Sequence, residues 1–136
     1  MPFVLDASVT LAWSFRDEQQ AYSHRVLRRL DSDSAIVPAI WLSEVANGVL
    51  GAERRGRFSA ADMASVFGVL EDLPIEWSGL TLDQALGPVL DLARAQGLTA
   101  YDAAYLELAM REGLPLATQD EDIRAAAGRV GVPIVE

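Results

Sequence analysis

The sequence predicts an α/β fold, a three-layer α/β/α sandwich around a central, mostly parallel five-stranded sheet. Three observations carry that expectation. Five short apolar runs rich in Val and Ile recur along the chain, and longer stretches with apolar residues near every 3.6 positions separate them. The resulting order, β-α-β-α-α-β-α-α-β-α-β, is that of a parallel sheet with helices on both faces. The 136 residues, 51% of them hydrophobic, suffice for one core. No apolar run approaches the ~20 residues that cross a membrane.

The first predicted strand is Phe3–Leu5. It ends at Asp6, the single charged residue between Met1 and Trp13, and a small-residue step then leads into Val9 to Trp13. A helix bearing His24, Arg25, Arg28 and Arg29 precedes the second strand, Ala35–Val37. From Leu42 to Arg55, residues Leu42, Val45, Ala46, Val49 and Leu50 form one helical face. Met63, Val66, Phe67 and Leu70 repeat the pattern before the third strand, Ile75–Trp77. Leu82, Leu86, Leu90 and Ala93 repeat it again, and so do Tyr105, Leu106, Ala109 and Met110. The fourth strand is Leu116–Thr118, a helix covers Asp122–Ala127, and Pro133–Val135 is the fifth strand. Gly-Arg at 56–57, Ser-Gly at 78–79, and Gly97, Gly113 and Gly131 stand at believable helix ends. With no repeat, low-complexity tract or long linker, residues 1–136 read as a single domain.

Twenty acids oppose eleven bases, all of them arginine, for a formal charge of −9. Nonspecific affinity for nucleic acid comes largely from neutralising phosphates, so the bulk charge excludes a histone-like binder. It leaves room for a nucleic-acid substrate met at a local arginine patch. The absence of cysteine excludes a disulfide scaffold, a thiolate nucleophile and a zinc–thiolate site. The N-terminus lacks a basic n-region and its apolar run is broken at Asp6, so no signal peptide is expected. A cytoplasmic location is the default expectation.

Four carboxylates stand at the ends of elements. Asp6 follows the first strand, and Asp120 holds the equivalent place after the fourth. Glu44 is expected in the first turn of the helix after Ala35–Val37, and Asp102 in the first turn of the Thr99–Met110 helix. Ligands of open α/β sheets bind beyond the carboxyl ends of the strands. Each acid also has a bland role: Asp6 and Asp120 as helix caps, Asp102 in a capping-box spacing from Thr99, Glu44 as a solvated first-turn acid. Those roles explain the acids singly and the set poorly. Like charges repel unless something positive intervenes, and the chain has no lysine. A hard divalent cation, Mg²⁺ or Mn²⁺, takes carboxylate oxygens and waters and is the natural counter-charge. Such an ion activates water and removes the need for a histidine base, so the lone His24 is expected at the surface or in helix packing. Ser8 is placed to position a carboxylate, with no base nearby to make it a nucleophile.

Val4-Leu5-Asp6-Ala7-Ser8, Glu44-Val45-Ala46-Asn47, the run from Thr99-Ala100-Tyr101-Asp102 to Ala109, and Leu116-Ala117-Thr118-Gln119-Asp120 together resemble the PIN-domain family. Within it they resemble the VapC-type ribonuclease toxins of toxin–antitoxin pairs. The resemblance implies that Asp6, Glu44, Asp102 and Asp120 bind one or two Mg²⁺ or Mn²⁺ ions in an acidic catalytic pocket. Ser8 and Thr118 match hydroxyls that line the pocket, and Asn47 matches a polar neighbour on the glutamate helix. It further implies endonucleolytic RNA hydrolysis leaving 5′-phosphate and 3′-hydroxyl ends, tRNA or ribosomal RNA targets, homodimers, and inhibition by a cognate antitoxin. Asp122 is a fifth acid that shares or replaces the role of Asp120. Arg54, Arg55 and Arg57, after the Glu44 helix, are candidate contacts for the RNA backbone. Trp13, Phe15, Trp41 and Trp77 are large aromatics of the kind favoured at interfaces, but plain core packing is the commoner role for each and they name no interface.

Rival readings are weaker. Response-regulator receivers and haloacid-dehalogenase-type phosphatases place a lysine beside their acids, which this chain lacks. A catalytically silent metal-binding or protein-interaction module is the more serious alternative. Asp6-Ala7-Ser8-Val9-Thr10 resembles the Asp-x-Ser-x-Ser adhesion motif of von Willebrand A-type domains, although that resemblance accounts for neither Glu44 nor Asp102.

Overall fold

A computed structural model describes residues 1–15 and 21–136. Its centre is β1 (Phe3–Leu5), whose three residues are fully buried, as a parallel strand covered on both faces requires. On one side β1 pairs with β2 (Ala35–Pro38), which pairs with β3 (Ile75–Ser78); on the other it pairs with β4 (Leu116–Ala117). Every ladder in this β3-β2-β1-β4 sheet is parallel. In register, Val4 stands opposite both Ile36 and Leu116. The three-layer α/β/α arrangement is therefore as the alternation of runs predicts.

The predicted fifth strand is present only as one isolated parallel bridge, Leu116 to Ile134, so among the described residues the sheet has four strands. Pro133 lacks an N–H for the ladder. The neighbouring β4 is itself two residues long, because Thr118 turns out of the strand to bond Asp6.

Two helices, α1 (Ala7–Ser14) and α2 (Ala21–Arg29), stand where a single helix is predicted between β1 and β2. They pack on each other, and α1 also packs on α3 (Ile40–Arg54). α3 buries Trp41, Val45, Val49 and Ala52, while Leu42 and Leu50 stay exposed. α4 (Ala60–Asp72), opened by a reciprocal Ser59–Asp62 capping box, buries none of its residues. Its apolar face turns to a groove shared with α3 and β3.

The predicted helix through Leu82, Leu86, Leu90 and Ala93 is broken into α5 (Leu82–Gln84), a π-helical turn (Ala85–Val89) and α6 (Leu90–Gln96). Pro88 lies within the wide turn, where it cannot donate the regular i→i−4 bond. Gly97, at φ +67°, ends α6 in a left-handed conformation that favours glycine. α7 (Ala100–Glu112) lies against β1 and β2 and is buried without interruption from Ala103 to Ala109. α8 (Glu121–Val130) follows β4 and adds Ile123, Ala126 and Ala127 to the core.

Of the four large aromatics at issue, Trp41 is core and its Nε1 donates to Thr10 Oγ1 at 3.1 Å. Trp13 and Phe15 are half-buried, and Trp77 is 66% exposed. No described helix is long and apolar enough to cross a membrane.

Candidate functional site

β1 ends at the sheet's carboxyl edge and delivers Asp6, which is 5% exposed. Asp6 occupies the N-cap of α1, but the strong bonds of its side chain run elsewhere. Its Oδ2 instead accepts from Ser8 Oγ at 2.7 Å and from Thr118 Oγ1 at 2.6 Å. Both hydroxyls also accept from the next stretch of chain: Ser8 Oγ from the Gln119 N–H and Thr118 Oγ1 from the Asp120 N–H. A carboxylate from β1 is thereby sewn to the segment after β4.

Glu44 lies in the second turn of α3, not the first, because the helix starts at Ile40 directly after β2. It is half-buried, and its Oε1 accepts from the Tyr105 hydroxyl at 2.5 Å. Asp102 is in the first turn of α7, as predicted. Thr99 Oγ1 accepts from the Asp102 N–H at 3.1 Å. The reciprocal backbone bond that closes the Ser59–Asp62 and Thr81–Gln84 boxes is not made here; the Thr99 side chain instead favours the charged Asp102 carboxylate. Asp120 does cap α8, its Oδ1 accepting from the Ile123 N–H at 2.9 Å.

These four carboxylates, from β1, α3, α7 and the start of α8, line one open cavity of about 470 Å³ with Ser8, Asn47 and Tyr101. Gly48 forms part of its wall where α1 and α3 approach closely; a Cβ there would meet Leu11 Cδ2 at 2.5 Å. Thr118 sits behind the wall, fully buried, and acts through Asp6. Asp122 is exposed and does not line the cavity, although its charge reaches Asp102. Arg54, Arg55 and Arg57 are exposed at the far end of α3, about 15 Å along the helix axis from Glu44. His24 is exposed, as expected.

The electrostatics follow from burial and crowding. Burial pushes the Asp6 carboxyl above its ordinary range; the Thr118 and Ser8 hydroxyls pull it back, and the Asp120 charge pushes it further up. Glu44 is raised by burial, with the Tyr105 hydroxyl opposing and the charges of Asp6 and Asp102 adding. Asp102 is raised by burial and then by Asp120 and Asp6. The Tyr105 hydroxyl is itself pushed far up by burial and by Glu44, so it stays a neutral donor. Among the described residues no arginine lines the cavity.

An all-oxygen, anionic donor set with raised pKa values fits a hard divalent cation in kind. Among the described residues no three carboxylates are close enough together to ligate one ion directly. Mg²⁺ usually keeps several waters and binds through one or two protein carboxylates, so that spacing is compatible with it. The sequence pattern missed Tyr105 as a site residue, because its position on the apolar stripe of α7 reads as core. Its lone polar atom was the available signal.

A protein-family profile described as PIN domain matches residues 3–129. No curated protein matches the chain in sequence. Among solved structures, PAE2754 from Pyrobaculum aerophilum is similar at 26% identity, with a TM-score of 0.70 over 93% of this chain and 79% of that one. VapBC2 from Rickettsia felis, bound to a DNA fragment from its promoter, is similar at 15% identity and a TM-score of 0.66, over 100% of this chain and 98% of that one. The sarcin–ricin-loop-cleaving toxin VapC20 of Mycobacterium tuberculosis is similar at 15% identity and a TM-score of 0.67, over 91% of this chain and 94% of that one.

Proposed function

The chain belongs to the PIN-domain family, and from that premise we propose that it is a metal-dependent endoribonuclease toxin of the VapC type. It hydrolyses RNA phosphodiesters, leaves 5′-phosphate and 3′-hydroxyl ends, and is neutralised by a cognate antitoxin. The observation that carries this reading is the convergence of Asp6, Glu44, Asp102 and Asp120 on one cavity.

When bound, Mg²⁺ or Mn²⁺ supplies an activated water and offsets the negative charge of the phosphodiester. One or two of Asp6, Glu44 and Asp102 would hold it directly and the rest through its waters, with Asp120 offering the oxygen its cap does not use. Ser8 and Thr118 hold Asp6 in place. Asn47 and Tyr101 line the open side, where the nucleotide enters. Arg54, Arg55 and Arg57 stand far enough along α3 to meet phosphates some way from the scissile bond, a local cationic patch on a chain of formal charge −9.

A partner protein is supported by a second surface. The groove between α3, α4 and β3 holds about 620 Å³, is lined by Leu42, Leu50, Phe67 and Trp77 among others, and has Glu53 and Glu71 among its lining residues. An amphipathic helix of the antitoxin with basic flanking residues suits both its apolar floor and its acids. Solved relatives of the same fold include a toxin–antitoxin complex from Klebsiella pneumoniae, 18% identical with a TM-score of 0.64. A second copy of the chain, giving a homodimer, belongs to the same reading.

The silent adhesion-type module is disfavoured by one residue. Thr10, the third member of its Asp-x-Ser-x-Thr pattern, is fully buried and bonded by Trp41 Nε1, away from the cavity.

The test is to incubate antitoxin-free protein with total tRNA and ribosomal RNA in Mg²⁺ or Mn²⁺, beside Asp102→Asn, and to map the cleaved ends. Discrete metal-dependent cuts that the variant lacks are expected. No cutting by well-folded protein sinks general ribonuclease activity against these pools and leaves a binding module.

A further inference from the structure

Tyr105 makes a contact that neither the fold nor the donor set demands. Its ring is fully buried, on a helix that lies directly on β1 and β2, so core packing sets the position of its hydroxyl. That hydroxyl reaches a carboxylate 61 residues away in the chain, Glu44 Oε1, at 2.5 Å. Separations of 2.5–2.7 Å mark charge-assisted O–H···O⁻ bonds, roughly twice as strong as neutral ones.

Glu44 by itself is a mobile group. A half-exposed glutamate has three rotatable bonds, and ordering such a side chain costs conformational entropy. The Tyr105 hydroxyl holds Oε1 before anything else binds. The donors onto Asp6 follow the same rule, since Ser8 and Thr118 are also neutral hydroxyls. An arginine in any of these places would orient the carboxylate and neutralise it together. Hydroxyls orient it and leave its charge for another counter-ion.

Resting on the metal-dependent reading, we propose that Tyr105 is a positioning residue whose hydroxyl presents the Glu44 carboxylate to the divalent cation. Tyr105 touches neither cation nor RNA; it acts through Glu44.

The test is direct Mn²⁺ binding, read from the free-ion electron paramagnetic resonance signal, for wild type, Tyr105→Phe, Glu44→Gln and the double variant. Phenylalanine keeps the buried ring and removes only the hydroxyl; circular dichroism and thermal melts of each apo-protein report the fold. Loss of an outer partner of a ligand typically weakens metal affinity 10–100-fold, so Tyr105→Phe is expected to raise the Mn²⁺ Kd about 10-fold or more. In the Glu44→Gln background the same change is expected to do nothing further. A purely structural role lowers the melting temperature and leaves the Kd alone, and that result overturns the inference. So does an equal loss of affinity in the Glu44→Gln background. If wild type binds no Mn²⁺, the metal-dependent reading fails and takes this one with it. If wild type binds and Tyr105→Phe binds equally well, only the role of Tyr105 falls.

Discussion

The Thr118 hydroxyl donates to Asp6 Oδ2 at 2.6 Å across 112 positions of chain, and both residues are buried. This bond ties the end of β1 to the end of β4 at the place where both strands open onto the cavity. It also stabilises the ionised form of a carboxylate that burial disfavours. Thr118→Val, of similar shape, removes the donor and leaves Ser8 alone. Hydrogen bonds to charged groups contribute about 1.5–3 kcal/mol, so a loss of that order is expected in denaturant unfolding at neutral pH. Thr118→Ser is expected to recover most of it. An unchanged midpoint in Thr118→Val would show that Asp6 does not depend on this hydroxyl.

Asp102→Asn separates metal binding from folding. Burial and the charges of Asp120 and Asp6 disfavour the Asp102 carboxylate, and the Thr99 side chain only partly opposes them. Without metal, the variant is therefore expected to melt above wild type. Adding Mn²⁺ reverses the order, because a ligand at 100 times its Kd stabilises by about 2.7 kcal/mol and the variant captures less of it. The comparison needs only thermal melts with and without Mn²⁺. An apo variant less stable than wild type, with an intact metal-induced gain, would refute the role given to Asp102.

The pH dependence of stability has a definite sign. Asp6, Glu44 and Asp102 all have folded pKa values above their ordinary ones. Between the unfolded and folded values, the native chain holds protons that the unfolded chain has released. Their contribution is therefore complete below the unfolded pKa and is lost as pH rises through the folded values. Apo-protein is expected to lose stability from these groups across that window. The gain from added Mn²⁺ grows across the same window, since ligands must shed protons to bind. Paired melts in a pH series check both trends, and a metal-induced gain that is flat with pH would argue that these carboxylates are not the ligands.

Phe67 and Trp77 are 60% and 66% exposed at the largely apolar α3–α4–β3 groove. A dye such as anilinonaphthalene sulfonate is expected to fluoresce on it, and Phe67→Glu to reduce that signal while shifting stability by no more than about 0.5 kcal/mol. Equal dye binding by the variant would place the accessible apolar surface elsewhere.

Much of the site was legible before folding. Asp6 stands out as a lone charge in an apolar run, and the turn signals before Asp102 and Asp120 put both at helix starts, where the structure has them. Other features were not legible, each for a physical reason. Glu44 is one turn deeper than expected because α3 starts directly after β2. The fifth strand shrinks to a bridge because Pro133 cannot donate and Thr118 leaves β4 for Asp6. Leu42, Leu50, Phe67 and Leu86 satisfy a helical stripe and still face outward, since periodicity records which residues share a face and not what covers it.

By itself, the sequence determined an α/β sandwich with parallel strands, and acids at strand ends and helix starts. Those properties follow from spacing, turn residues and apolar runs within a few positions of one another. Only the tertiary structure decided that Thr118 and Ser8 share one oxygen of Asp6, and that Tyr105 holds Glu44. Partners 61 or 112 positions apart are chosen by strand order and by how α7 packs on the sheet, and no local pattern encodes either distance.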